Sequence, residues 1–298
     1  MACSRGWASL AAMLERFLPM LNNLDPDLRE VFLQKLRVRW THTSTALEGN
    51  TLNEGETLGV LQYGLTIAGK PLAHHNEVLG HSRAIELVYR LISESRPLSE
   101  TDLHALHSAV QTSVEVDYLK PVGAWKCEPN STLAKQGGKT VVNDTYASPE
   151  QVPALMKDWL AGFESRRRDT SVSALDAYAW SHATFVRIHP YADGNGRLAR
   201  LIANIPVIEK GCLPVLVPAE DRLAYIESLA VWQLASGAAR AGSDLAGDGT
   251  SFQAFQAFCV RWATDASVML DEVMELQGKR IPGPGMWSRE ELMVPQAG

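Results

Sequence analysis

The sequence has no excess of basic residues and no long apolar run, and both absences exclude common classes of protein. Its 28 Lys and Arg stand against 34 Asp and Glu, which gives a net charge of -6 at pH 7. Nucleic-acid binders usually neutralise phosphates with a basic surface. No apolar stretch reaches the ~20 residues that a membrane helix needs, and the N-terminus lacks the apolar segment of a signal peptide. We therefore predict that neither nucleic acid nor a membrane is a partner.

Cysteine is also scarce. The four cysteines are Cys3, Cys127, Cys212 and Cys259. No two of them have the spacing of a redox pair or of metal ligands, so we predict reduced thiols and a cytoplasmic location. A zinc site would need some of the eight histidines, among them His74, His75, His104 and His107. No Cys or Glu falls at a supporting spacing around these histidines, which favours packing or surface roles for them.

Apolar residues repeat at three- and four-residue spacings, and this pattern predicts a mainly α protein. Ser99 with Asp102 is a capping box that predicts the start of another helix. Gly49 is expected to stop a short helix at its C-terminus. The spacing predicts helices over residues 7–21, 26–38, 43–47, 76–92, 149–164, 173–188, 221–236 and 251–276, with a further helix after residue 195.

Residues 121–147 differ in composition from the helical segments and are rich in glycine and asparagine. Gly137 and Gly138 separate two short extended runs, one of which contains Val141 and Val142. This pattern predicts a β-hairpin. Because two strands are barely stable alone, we interpret the hairpin as a flap over a site, with a plain surface hairpin as the alternative.

Residues 189–200 read His-Pro-Tyr-Ala-Asp-Gly-Asn-Gly-Arg-Leu-Ala-Arg and are the most informative segment. A helix is expected to run into Ile188 and to stop near Pro190. The turn at residues 194–196 then opens a new helix, whose first N–H groups are free to bind an anion. Glycines in such a turn let a phosphate approach the backbone.

Charged side chains of the same segment suit phosphate chemistry. Arg197 and Arg200 lie on one helix face and can reach two successive phosphates. Asp193 is a hard oxygen ligand suited to Mg²⁺, and His189 can accept a proton near neutral pH. Phosphoryl-group chemistry needs these parts because it relies on positioning and charge neutralisation. The alternative is a glycine-rich turn with incidental charges.

This segment resembles the signature of the Fic family, His-Pro-Phe-x-[Asp/Glu]-Gly-Asn-Gly-Arg-x-x-Arg. Tyr191 stands in place of the Phe, and its hydroxyl would need a partner. The helix carrying Ala177, His182, Phe185 and Val186 is similar to the family's preceding helix, and Gly123-Ala124-Trp125-Lys126 is similar to the segment that leads into its flap. The resemblance covers about residues 40–235 and implies a Fic-fold helical bundle with one hairpin flap.

The resemblance implies a role for each residue of the loop. His189 would be the general base and Asp193 would hold Mg²⁺ at the α- and β-phosphates of ATP, the co-substrate. Arg197 would contact the β-phosphate and Arg200 the γ-phosphate. The phosphates would be cradled by Gly194, Asn195 and Gly196.

Two further features follow from the resemblance. The flap, near residues 127–145, would hold the main chain of a target protein by strand addition. Relatives that transfer phosphate have Lys in place of Gly196, so glycine here implies nucleotidyl transfer.

Residues 44–50, Ser-Thr-Ala-Leu-Glu-Gly-Asn, resemble the family's inhibitory motif, [Ser/Thr]-x-x-x-Glu-[Gly/Asn]. The inhibitory helix would span about residues 43–49. Glu48 would pair with Arg200 and occupy the cation that should receive the γ-phosphate, and Ser44 would steady the pair. Taken alone, the string also fits an ordinary helix that stops at Gly49.

These expectations give a domain plan and a function. The plan is an N-terminal helical region (1–98), a Fic core (99–264) with flap (121–147) and catalytic loop (189–200), and a C-terminal tail (265–298) that is expected to be loosely attached from Gly278 onward. The function is an autoinhibited adenylyltransferase that moves AMP from Mg-ATP to a Ser, Thr or Tyr hydroxyl of a target protein. A de-AMPylase using Glu48 and a non-catalytic nucleotide-sensing protein remain alternatives. The base of the nucleotide, the target protein and self-association, which many relatives show, are open.

Overall fold

The computed structural model describes residue 14 and residues 16–112, 117–136 and 139–280, and these are mainly helical as predicted. A 3₁₀ turn, Pro19–Asn23, precedes the first long helix. The α-helices are α1 (Pro26–Ala46), α2 (Glu54–Tyr63), α3 (Leu72–Glu94), α4 (Glu100–Val110), α5 (Val152–Arg168), α6 (Ala174–Ile188), α7 (Asn195–Ile202), α8 (Asn204–Glu209), α9 (Arg222–Ser236), α10 (Gly249–Trp262) and α11 (Asp265–Gly278). No helix in the described part of the chain is long and apolar enough to cross a bilayer.

The predicted hairpin is present as strands β1 (Thr132–Gln136) and β2 (Lys139–Asn143). They pair antiparallel, with Gln136 opposite Lys139. Gly137 and Gly138 lie between the strands and outside the described residues. The hairpin packs against α9 through β1, which supplies the support that two strands lack alone.

Helix α1 is continuous from Pro26 to Ala46, so the predicted break after Val38 is wrong. The threonines between the two predicted helices and at the start of the second are part of the same helix. Thr43 and Thr45 donate their hydroxyls to the carbonyls four residues earlier, each at 2.9 Å, and both side chains are buried. The helix is followed by a turn in which Gly49 has a φ of 101°, a left-handed conformation that glycine adopts without strain.

Sequence reasoning missed α2 and also missed a break between two helices near the C-terminus. Asn53 and Glu56 form a capping box that opens α2, a signal that could have been found. The predicted helix over 251–276 is two helices, α10 and α11. The Thr264 hydroxyl donates to the Arg261 carbonyl between them, and such a bond competes with continuing the helix.

Helix α6 lies at the centre of the fold, with every residue from Ala177 to Ile188 buried. It packs against α5, α7, α8 and α10. Helix α1 packs against α3 on one side and α11 on another, so the predicted tail region includes a packed helix. One hydrophobic cluster contains residues from Leu14 to Val273. Central α6 thereby fixes the position at which the loop after Ile188 begins.

The basic run at the end of α5, residues 166–168, is only partly exposed to solvent. Arg167 donates to both carboxylate oxygens of Glu209 at 2.6 Å. The Arg166 guanidinium lies 3.9 Å from the centre of the Trp180 ring. These contacts bind α5 to α8 and to α6, so the run stabilises the core around the central helix.

Candidate active site

The catalytic loop begins with a residue in an uncommon backbone conformation. His189 ends α6 with a φ of 56°, and its N–H donates to the Phe185 carbonyl at 3.0 Å. Positive φ is uncommon for a residue other than glycine and costs about 1–3 kcal/mol. The surrounding packing stabilises this turn, and it brings the His189 ring to the wall of a pocket.

The protonation state of His189 suits a base. Its Nδ1 lies 3.1 Å from the Val186 carbonyl, and a carbonyl only accepts, so Nδ1 carries the proton and Nε2 is left to accept one. Burial lowers the pKa of His189 to about 4; the Val186 bond opposes this shift, the charge of Lys126 adds to it, and those of Asp193 and Glu48 oppose it. The imidazole is therefore neutral at pH 7.

Asn195 closes the loop on itself. Its Nδ2 donates to the Tyr191 carbonyl at 2.7 Å, and its Oδ1 accepts from the Tyr191 N–H at 2.9 Å. The side chain is 2% exposed. The side chain of Asn195 is thus occupied within the loop. The groups available to an anion are the backbone N–H groups of Asn195 and Gly196 at the start of α7. Gly194 precedes them with a φ of 76°.

Arg200 is the most extensively bonded cation of the site. Its Nε donates to Ser44 Oγ at 3.0 Å and its Nη2 to the Ser44 carbonyl at 2.8 Å. Nη2 also donates to Glu48 Oε1 at 2.7 Å, and Nη1 donates to the Tyr225 hydroxyl at 3.1 Å. The Arg200 side chain is 3% exposed, whereas that of Glu48 is 40% exposed. Glu48 is thus the solvent-facing partner of an otherwise buried guanidinium.

Gly196 allows Glu48 to take this position. A Cβ built on Gly196 would lie 2.7 Å from Glu48 Oε1 and 3.1 Å from Arg200 Nη1. The first distance is shorter than real Cβ contacts, so a larger residue would displace the carboxylate. The glycine that sequence analysis connected with nucleotidyl transfer also permits the Glu48–Arg200 contact.

Arg197 has different hydrogen-bond partners from Arg200. Its Nη1 donates to the Val110 carbonyl at 3.2 Å and its Nη2 to Gln111 Oε1 at 3.1 Å. Asp193 Oδ2 lies 3.4 Å from the same Nη2. Arg197 is buried, and its Nε has no hydrogen-bond partner. A phosphate could offer that donor an acceptor.

Asp193 is the predicted Mg²⁺ ligand, and its surroundings fit that ion. Its side chain is 65% exposed, so its oxygens are accessible. Among the described residues no group of three or more His, Cys, Asp or Glu could hold a metal. Mg²⁺ commonly uses one or two carboxylates together with substrate phosphates, and a single accessible carboxylate beside a helix N-terminus meets that requirement.

The pocket brings together four of the predicted site residues: Glu48, His189, Gly196 and Arg200. Its other walls come from the hairpin and α9. Ser44, Asp193, Gly194, Asn195 and Arg197 are not in its lining. The remaining lining residues are Leu47, Thr132, Leu133, Asn143, Tyr146, Val186, Arg222, Tyr225, Ile226, Leu229, Ala230 and Gln233.

Three functional neighbours were missed by sequence reasoning. Tyr225 accepts from Arg200 and lies 3.0 Å from His182 Nε2. Tyr146 stacks on His189 with ring centroids 4.0 Å apart. Lys126, in the segment compared with the family's, is buried, and burial lowers its pKa to about 8. No local pattern marks Tyr225 or Tyr146, because each reaches the site from a distant element.

A cluster of aromatic rings packs around Tyr191 of the loop. Tyr191 is fully buried and its hydroxyl lies 3.0 Å from His104 Nδ1. The hydroxyl that this tyrosine has in addition to the family's Phe therefore has a hydrogen-bond partner. Trp125 lies 5.0 Å from Tyr191 between ring centroids. His107 stacks on Tyr191 at 3.9 Å with an angle of 10° between the planes. Two of the histidines considered for zinc therefore belong to this cluster.

Comparisons with known proteins agree with this geometry. Residues 97–206 match the model of the Fic/DOC family. The chain is 35% identical over 200 residues to protein adenylyltransferase fic-1 of Caenorhabditis briggsae, and 31% identical over 197 residues to that of Caenorhabditis elegans. Each alignment covers 65% of this chain and 36% of the relative. The chain thus spans about a third of the length of these curated relatives.

Solved structures share the fold. A Fic domain containing signaling protein from Bacteroides thetaiotaomicron has a TM-score of 0.74 and 25% identity, over 91% of this chain and 98% of that one. Fic-1 from C. elegans has a TM-score of 0.64 and 24% identity, over 92% and 73%. The predicted Fic fold is confirmed, and residues 97–206 form a domain of the Fic/DOC family.

Proposed function

We propose that this chain is a protein adenylyltransferase that moves AMP from Mg-ATP to a hydroxyl of a target protein, and that Glu48 restrains it. One observation carries the proposal. His189, with a free Nε2, shares a pocket with Arg200, and Glu48 contacts that arginine from the same pocket. The relatives named protein adenylyltransferase support the reaction class.

In the proposed reaction, His189 Nε2 accepts the proton of the target hydroxyl. The hydroxyl oxygen then bonds to the α-phosphorus, the bond to the β-phosphate side breaks, and pyrophosphate leaves. Arg200 would neutralise the γ-phosphate and Arg197 the β-phosphate, while backbone N–H groups at the start of α7 bind phosphate oxygens. For that role Arg197 would use its unpartnered Nε or exchange its Nη2 bond to Gln111. Mg²⁺, held by Asp193, would neutralise phosphate charge.

The hairpin is the proposed holder of the target. In a two-stranded sheet each strand has one edge without a strand partner. Thr132 and Leu133 of β1 line the pocket, and Leu133 is 72% exposed. A target segment that added to this edge would bring its hydroxyl to His189 by main-chain hydrogen bonds. Such binding reads little of the target's side chains.

The brake would act through competition for Arg200. Glu48 gives the arginine a carboxylate where the γ-phosphate should bind, and such charge-assisted bonds are strong. Losing a fully buried pair costs roughly 3–5 kcal/mol. Because Glu48 is 40% exposed, and Arg200 keeps Ser44 and Tyr225, we expect a smaller cost of release. This arrangement suits a brake that ATP can overcome at a reduced rate.

The first test is Glu48→Gly, assayed with labelled ATP for transfer to protein or to the chain itself. We expect transfer to rise at least tenfold, which corresponds to about 1.4 kcal/mol, because the variant removes the competing carboxylate. Glu48→Gln is the matched variant and should give a smaller rise. Adding His189→Ala should abolish transfer and leave ATP binding intact. An unchanged rate in Glu48→Gly would contradict the brake.

A second activity is favoured by one observation. Glu48 and His189 line the same pocket, so the carboxylate could orient a water and remove AMP from a modified target. Incubating an AMPylated target with the wild type and with Glu48→Gly separates the two reactions. Release of AMP by the wild type alone would favour removal. ATP binding without transfer in either protein would favour the nucleotide-sensing alternative.

The remaining expectations are part of the same proposal. The described cysteines Cys127, Cys212 and Cys259 are free thiols, which supports the proposed cytoplasmic location. The division at residues 98/99 and 264/265 stays a prediction, as do self-association and the absence of nucleic-acid partners. Labelled-nucleotide transfer by Glu48→Gly in a lysate, followed by mass spectrometry, would identify the target and the base.

A further inference from the structure

His107, on α4, contacts both the catalytic loop and the segment that leads into the hairpin. Its Nδ1 accepts from the Gly123 N–H at 2.9 Å, and its Nε2 lies 3.1 Å from the Asp193 carbonyl. A backbone N–H only donates and a carbonyl only accepts. His107 is therefore neutral and carries its proton on Nε2, a state fixed by two partners that cannot exchange roles.

The ring is held firmly in this position. It is 1% exposed and stacks on Tyr191. Gly194 also lies close to the ring, since a Cβ on that glycine would be 3.6 Å from His107 Cδ2. The C-terminus of α4 holds the loop a second time, where Arg197 donates to the Val110 carbonyl. The loop is thus fixed to α4 at the residues on both sides of its turn.

We infer that His107 is a positioning residue for Asp193: by holding the Asp193 carbonyl through Nε2–H, it orients the carboxylate that the proposed function assigns to Mg²⁺. The inference rests on that proposed function. A backbone held at the carbonyl keeps the direction of the Cα–Cβ bond from which the carboxylate extends. The bond to Gly123 additionally fixes the start of the hairpin segment relative to the loop. His107 touches no reacting atom, so its effect passes through Asp193.

If His107 served only to pack the core, its substitution would have a different effect. Loss of packing lowers stability and weakens ATP binding with and without Mg²⁺, whereas loss of positioning weakens the Mg²⁺-dependent part alone. Removal of a residue that orients a metal ligand typically costs ~10–100-fold in metal affinity. We expect the lower end of that range, about tenfold, because His107 holds the backbone of Asp193 and not its carboxylate.

The test compares two amides in the full chain carrying Glu48→Gly. Gln places its Nε2 where the imidazole Nε2 lies and can still donate to the Asp193 carbonyl. Asn places its Oδ1 near the imidazole Nδ1 and can accept from Gly123, but it cannot reach Asp193. Calorimetry measures the Kd of ATP with Mg²⁺ and with EDTA. We expect His107→Asn to raise the Kd of ATP in the presence of Mg²⁺ about tenfold, and His107→Gln to raise it about threefold or less. In EDTA the Kd of ATP should be nearly the same in both variants and the parent.

Two outcomes would overturn the inference: equal loss for both amides, or equal loss with and without Mg²⁺. In addition, His107→Asn should add nothing to Asp193→Asn, because residues acting through one contact are not additive. If the variants do not fold, ¹⁵N spectra of the wild-type imidazoles decide, since a proton on Nδ1 of His107 contradicts the geometry. If the Glu48→Gly parent fails to bind Mg-ATP, the proposed function fails instead, and the ¹⁵N measurement still reports on His107.

Discussion

The ring of Tyr146 is the side chain that covers the proposed base most directly. It stacks on His189 at 4.0 Å with an angle of 28°, and its hydroxyl lies 2.8 Å from Thr132 Oγ1. The hairpin therefore contributes to the burial that lowers the pKa of His189 to about 4. A lower pKa keeps the base unprotonated across the neutral range, and it also weakens it as a proton acceptor.

Replacing Tyr146 with Leu should raise the pKa of His189 from about 4 towards the usual value of ~6.5. The ring that excludes water is lost, while the charges of Lys126, Asp193 and Glu48 stay in place. NMR titration of the imidazole measures this shift. Tyr146→Phe is the control, because it keeps the stacked ring and removes only the hydroxyl. Equal titration of His189 in the Leu variant and the wild type would show that the stack has no such effect.

At the residue scale, sequence reasoning found the loop because its members are adjacent in the chain. The Glu48–Arg200 pair was found through a resemblance, and the two residues lie 2.7 Å apart. Tyr225 and His107 could not be found in this way. Each comes from a helix with an ordinary apolar pattern, and its function arises from which element packs beside it. Sequence spacing does not contain that information.

At the element scale, a buried hydrogen bond joins the hairpin to α9 in addition to the packing of β1 on that helix. Asn143 Nδ2 donates to Gln233 Oε1 at 2.5 Å, and both side chains are at most 2% exposed. Asn143 Oδ1 also accepts from the Thr145 hydroxyl. The hairpin was predictable from its glycines and β-branched residues, but this attachment was not. It joins residues 90 positions apart, and no local pattern specifies such a contact.

Substituting Asn143 with Ala should loosen the hairpin. The variant removes the partner of the buried Gln233 Oε1 and of the partly buried Thr145 hydroxyl. A buried polar group without a partner costs about 1–3 kcal/mol. Hydrogen exchange of the β1 and β2 amides should therefore accelerate roughly tenfold or more. Val142→Ala is the control on the same strand, because Val142 is 57% exposed and its truncation should leave exchange nearly unchanged. Exchange equal in both variants would contradict a latch at Asn143.

Helix α1 shows why element boundaries were harder to predict than elements. Its C-terminal half contains threonines, which disfavour helix in isolation. Packing against α3 and hydrogen bonds from Thr43 and Thr45 to the backbone override that preference. The segment proposed to be inhibitory therefore begins in the last turn of a helix of 21 residues, and Glu48 lies in the turn that follows this helix.

At the scale of the whole molecule, the N-terminal and C-terminal helices share one packing arrangement. Lys35 of α1 pairs with Glu272 of α11 at 3.0 Å, and Arg39 lies 3.3 Å from Asp265. Exposed pairs of this kind contribute little each, so the apolar contacts between α1 and α11 carry the association. Helix α1, which leads into the turn carrying Glu48, is thereby supported by the last helix of the described chain.

The whole molecule should lose stability in acid through its buried histidines. Burial, followed by the charge of Arg200, lowers the pKa of His182 to about 3, whereas an unfolded histidine has ~6.5. The folded state thus binds fewer protons, and its stability is complete above pH ~6.5 and falls between pH ~6.5 and ~3 by about 1.4 kcal/mol per pH unit. Urea unfolding at several pH values measures this slope. His182→Gln should lower the slope by the contribution of about one proton, which is about 1.4 kcal/mol per pH unit. An unchanged slope would contradict the low pKa of His182.

The three bonds from Arg200 to Ser44 and Tyr225 have a consequence for speed. They hold the cation whether or not Glu48 is present, so in the proposed mechanism only one carboxylate has to swing out of the pocket. Rotations of partly exposed side chains take picoseconds to nanoseconds, whereas hinge motions of domains take microseconds to milliseconds. Release and re-engagement would then be far faster than a catalytic turnover. Glu48 would then lower the rate in every catalytic cycle by the fraction of time that it is paired with Arg200. The rate in one cycle would not depend on whether the pair was formed in the cycle before.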